Sequence, residues 1–127
     1  MQRIAALERP IPLAQFPEAI ARSREPRRPP VPGRWPPAAA GIGAWAETLP
    51  AVWARDGDVL TPRGAAMPRE GDRLMIAVFA DRTSPVLTWS QLRDLLAGTG
   101  MGALSAQAWI HRSPLIRSVP GGYRLLG

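Results

Sequence analysis

Residues 88–127 read TWSQLRDLLAGTGMGALSAQAWIHRSPLIRSVPGGYRLLG, and their punctuation decides the fold. Thr88 followed three residues later by Gln91 is a capping box: hydroxyl and side-chain amide each satisfy a backbone donor that the first helical turn leaves bare. A helix from Trp89 to Ala97 follows, with Leu92, Leu95 and Leu96 inward and Arg93 and Asp94 outward. Three glycines in Gly98-Thr99-Gly100-Met101-Gly102 stop that helix and permit a tight turn. A second short helix, Ala103 to Arg112, is stopped by Ser113-Pro114. Two short strands, Leu115–Val119 and Gly122–Leu126, flank Pro120-Gly121 and predict a hairpin.

Upstream, Glu70-Gly71-Asp72 opens the run Arg73 to Ala80. It is read as a buried helix, with a strand as the alternative, because an all-apolar run does not settle its own period. Asp81-Arg82-Thr83-Ser84-Pro85 ends it, and Val86-Leu87 is long enough only for a strand stub.

The order helix, strand stub, capped helix, glycine turn, helix, hairpin resembles a winged helix-turn-helix domain. The resemblance lies in TWSQLRDLLAG, TGMG, ALSAQAWIHR and SPLIRSVPGGYRLLG, and covers residues 69–127, a little under half the chain. SPLIR…GGYRL is its most specific part, similar to the endings of small bacterial winged-helix modules. The resemblance implies an α+β fold and binding of double-stranded DNA, as in a bacterial or phage transcriptional regulator or accessory factor. Helix 103–112 would enter the major groove, with Ser105, Trp109 and Arg112 accessible and Gln107, on another side of the helix with His111, as a further candidate contact. Thr88, Thr99, Arg117 and Arg124 would hold phosphates. Many winged helices bind proteins instead, so an adaptor docking through Trp109 onto a larger complex is the alternative.

The chain before this region is divided by proline. Residues 1–64 hold most of the prolines, and the stretch from Pro26 to Pro37 cannot carry helix or sheet. Residues 1–43 are expected to be a flexible, largely irregular Pro/Arg-rich arm, with short helices over Met1–Leu7 and Pro17–Arg24. Arg22, Arg24, Arg27, Arg28 and Arg34 would make it a non-specific basic arm if it tracks phosphates; a solvated linker is the plainer reading. Residues 44–127 are expected to form the folded unit. A helical extension over Ala44–Arg55 would pack through Trp45 and Trp53, and Asp56-Gly57-Asp58 would turn the chain.

Composition narrows the chemistry. The 127 residues contain no cysteine and a single histidine, His111, so disulfides, Cys-ligated zinc, iron–sulfur clusters and thiol catalysis are excluded. All basic residues are Arg, and the formal net charge is +6. Without Lys there is no P-loop and no Schiff base. His111 beside Ser113 has no orienting carboxylate nearby in sequence, and the pairs Asp56/Asp58 and Glu70/Asp72 read as turn and helix-start residues rather than metal ligands. Gly41–Ala46 and Gly98–Ala103 both fit G-x-G-x-x-A, but neither follows a buried strand, so no dinucleotide site is expected. The sequence thus points to a binding protein with no catalytic residues, cofactor or metal. The longest apolar run, Leu74 to Ala80, is far short of a membrane span, and no secretory signal is visible, so a cytoplasmic protein is expected. A core this small is expected to draw on a partner or a homodimer.

Overall fold

The computed structural model describes residues 2–23, 38–64, 68–80 and 84–127. Its described elements run α1 (Gln2–Ala5), β1 (Ile11–Pro12), a 3-10 turn (Leu13–Gln15), α2 (Phe16–Ser23), α3 (Ala39–Glu47), β2 (Trp53–Asp56), β3 (Val59–Pro62), α4 (Glu70–Ala80), α5 (Trp89–Gly98), α6 (Ala103–Arg112), β4 (Ile116–Val119) and β5 (Gly122–Leu125). The fold is α+β, and the described residues form two small antiparallel sheets ordered β1-β3-β2 and β4-β5.

The C-terminal half follows its local signals. The apolar run resolves as helix: Gly71, Met75, Val78 and Phe79 recur at helical spacing and are buried. Leu87 then exchanges two backbone hydrogen bonds with Tyr123, of 2.9 and 2.8 Å, and so adds a one-residue strand to the hairpin. Gly122 makes this approach possible, since a Cβ there would fall 2.1 Å from the Leu87 carbonyl oxygen. The capping box is formed. The Gln91 amide N–H donates to Thr88 Oγ1 (3.1 Å), and the Thr88 N–H donates to Gln91 Oε1 (2.9 Å). Leu92 and Leu96, one turn apart, seat α5, and Ala106 and Ile110 seat α6. Between the two helices Gly100 takes φ +97°, a conformation that other residues rarely adopt.

The N-terminal segment departs from expectation. Residues 2–23 are not an irregular arm: Ile4, Ile11, Phe16 and Ile20 are buried in the same core as Met75, Leu92 and Ile116. Phe16 meets Trp53 edge to face, with ring centroids 5.8 Å apart. The boundary expected near residue 44 therefore does not divide the core. The proline-rich stretch, with Arg24, Arg27, Arg28 and Arg34, lies outside the described residues.

The helix expected over 44–55 is also corrected. Helix α3 lies earlier, from Ala39 to Glu47, and the chain then turns into the hairpin β2–β3. Trp45, Leu49 and Trp53 share a helical spacing, yet Leu49 is exposed and Trp53 is buried on a strand. Pro50 ends the helical option, while Asp56-Gly57-Asp58, with Gly57 at φ +59°, closes a hairpin that pairs Asp56 with Val59. Strand β1 completes the sheet through Ile11 and Leu60. Its Pro12, which has no N–H, sits on an edge strand, where that loss is tolerated. Among the described residues no helix is long and apolar enough to cross a membrane.

Candidate nucleic-acid interface

Helix α6 is seated by Ala106 and Ile110, and the face opposite is open. Leu104, Ser105, Ala108, His111 and Arg112 are all exposed. At about 100° per residue they form one continuous stripe. Leu104 is 81% exposed, the extreme among the large apolar residues described. Ser105 and Arg112 thus lie where the sequence puts them. Gln107 and Trp109 are half-buried, on the two flanks of the stripe.

Trp109 is a correction. Its indole lies flat on the bare backbone of α4, where a Cβ on Gly71 would fall 2.3 Å from the ring. From another side the Arg3 guanidinium stacks 5.1 Å from the ring centroid. Arg3 in turn grips the fully buried Asp72 with both ends of its fork, Nε to Oδ2 at 3.1 Å and Nη2 to Oδ1 at 2.9 Å. Trp109 therefore ties α6 to α4 and α1 and is half-buried rather than fully exposed. Sequence reasoning missed Arg3 and Asp72, since nothing in either local pattern names a partner 69 residues away.

Arg22 is likewise structural rather than part of a basic arm. The carbonyl of Ile110 would ordinarily accept from residue 114, but Pro114 has no N–H. Arg22 Nη1 donates to that carbonyl at 2.9 Å. Its Nη2 reaches Ser118 Oγ at 3.2 Å, and its guanidinium covers the Tyr123 ring at 5.5 Å. Glu18, one turn earlier, accepts from the Ser118 N–H at 3.4 Å. Helix α2 thus closes the outer edge of β4 and fixes the hairpin against α6.

The hairpin brings two expected residues together. Arg117 and Arg124 are directly opposed in the β4–β5 register, so both side chains leave the same face. Both are half-buried, and each has a buried Nε with no hydrogen-bond partner. Among the described residues no carboxylate pairs with either.

The two threonines differ. Thr88 Oγ1 accepts a hydrogen bond in the cap, so its own proton remains available for a phosphate oxygen. The Thr99 hydroxyl instead donates to the Leu96 carbonyl at 2.6 Å. With that proton committed it has only lone pairs to present, which a phosphate does not want. Ser113 is fully buried and accepts from the Leu115 N–H, whereas the neighbouring His111 is exposed. No group of three metal-ligating side chains occurs among the described residues. Beside the α6 stripe lies an open groove of about 470 Å³, walled by Arg69, Glu70, Thr99, Met101, Ser105 and Trp109 among others.

Comparison with models of known protein families, with curated proteins and with solved structures finds no match for this chain.

Proposed function

We propose that residues 70–125 form a winged helix-turn-helix and that the chain binds double-stranded DNA. Helix α6 lies in the major groove, and the β4–β5 hairpin, as the wing, rests on the sugar–phosphate backbone. The observation that carries this reading is the opposed pair Arg117 and Arg124, unneutralised by any described carboxylate. Like charges placed directly across a hairpin are destabilising, and a polyanion removes that cost. The open stripe of α6 supports it, since Ser105, His111 and Arg112 offer hydrogen bonds while Leu104 and Ala108 suit a thymine methyl. The element order supports it as well, with Leu87 bridging to the second hairpin strand as a third wing strand. Such a chain suits a transcriptional regulator or accessory factor.

Fluorescence anisotropy of a labelled random duplex, at two salt concentrations, tests the reading. Binding should weaken steeply with salt, with a log–log slope of about 0.9 per phosphate contacted. Arg112→Ala should cost roughly 1–3 kcal/mol on a specific site and relax preference at one base pair. No binding at low salt sinks the proposal.

A second reading is favoured by Leu104, whose exposure suits a protein-docking helix. In that case Leu104→Ser abolishes capture of the partner while the protein ignores duplex DNA at every salt concentration.

A further inference from the structure

The arginine pair of the hairpin is joined by a third arginine from the other end of the chain. A pocket of about 90 Å³ is lined by Arg9, Phe79, Pro85, Arg124 and Leu125. Among the described lining residues two carry guanidinium groups and none is acidic. Among the described residues neither Arg9 nor Arg124 lies within ion-pair distance of a carboxylate. The buried Nε of Arg124 has no acceptor, and neither has that of Arg117 directly across the ladder. Arg9 is positioned by the C-terminal strand's exit: its stem crosses Gly127 so closely that a Cβ there would fall 2.5 Å from Arg9 Cδ. Gly127 itself is held by its N–H, which donates to Gln15 Oε1 at 2.8 Å. Gathered like charges and buried charged donors without acceptors both cost stability. An anion supplying the acceptors reverses both costs.

We propose that this pocket seats one tetrahedral oxyanion of the phosphate type, gripped by Arg9 and Arg124 and reinforced by Arg117. At about 90 Å³ the pocket has room for a phosphate group. Guanidinium forks match two phosphate oxygens at once. Phe79, Pro85 and Leu125 supply apolar walls that strengthen each contact by keeping water back. The phosphate belongs either to a nucleic-acid backbone or to a free phosphate. The inference rests on reading the hairpin arginines as anion contacts, and is independent of whether α6 reads bases.

Titration of the full chain with inorganic phosphate at constant ionic strength, read by NMR on the arginine Nε–H resonances, tests it. The Arg124 and Arg9 resonances should shift and saturate. Arg9→Gln and Arg124→Gln should each weaken binding about tenfold. Arg73→Gln, which removes an exposed arginine of α4 outside the pocket, should leave it unchanged. Shifts that never saturate, or that persist equally in Arg9→Gln and Arg124→Gln variants with native amide spectra, would overturn the site. A second arm assigns the source. A salt slope for duplex binding that falls by about 0.9 in Arg9→Gln identifies the DNA backbone as occupant. An unchanged slope in Arg9→Gln, with phosphate binding saturable in the unaltered chain and weakened in the variant, identifies free phosphate. Saturable phosphate binding without any duplex binding upholds the pocket and removes the DNA reading.

Discussion

The two halves of the molecule are built by opposite logic. From Thr88 onward the elements are laid down by near neighbours: a cap spanning Thr88 to Gln91, a glycine turn, a hairpin closed over Pro120-Gly121, with α2 then bracing the hairpin against α6. Before residue 64, apart from the local β2–β3 hairpin, the securing partners are distant. Strand β1 pairs with β3, Phe16 meets Trp53, and Arg3 reaches Asp72. The first kind of construction announces itself in a short window of sequence, and the second is silent until the chain has collapsed. Non-local contacts also pay their loop-closure entropy before they return anything, so the N-terminal half depends on the C-terminal half for a surface to fold against.

That dependence can be broken most forcefully at Phe16. Phe16→Ala empties a fully buried position and should cost about 3–5 kcal/mol. If the halves share one core, hydrogen exchange at the Leu92 and Leu96 amides accelerates in step with urea-measured stability. Untouched protection there would make the C-terminal half an independent unit. A smaller effect is expected at the seam. Gly71→Ala drives a methyl into the Trp109 ring and should cost roughly 1–3 kcal/mol, with a change in tryptophan fluorescence as the indole lifts off α4. The mildest is purely local: Thr88→Ala removes the cap of α5 and should cost about 1 kcal/mol by thermal denaturation. A loss at Thr88 as large as that at Phe16 would contradict the contrast between local and distant construction.

For the candidate interface the legible part was the frame. The capping box, the span of α6 and the placement of Arg117 and Arg124 on a hairpin follow from local spacing, whereas their direct opposition comes from the register. Which face of α6 points outward did not follow, because its apolar residues are scattered around the helix. The sequence predicts an accessible Trp109, yet a glycine on α4 makes a seat for one side of its ring. Arg22 reads in the sequence as part of a solvated linker or a basic arm, yet the carbonyl orphaned by Pro114 recruits it. Both errors share a cause: an arginine or tryptophan has a long reach, and its partner is chosen by tertiary packing.

What the amino-acid sequence determined by itself was the α+β class, the C-terminal succession of elements, and the exclusion of cysteine and lysine chemistry. These rest on interactions within a few residues or on composition. Only the tertiary structure decided that residues 2–23 enter the core, that 53–56 is a strand, and that Arg9 and Arg124 share one pocket. Burial, strand pairing and the meeting of charges depend on groups far apart in the chain. Their energies exist only once the intervening segments have been folded back upon one another.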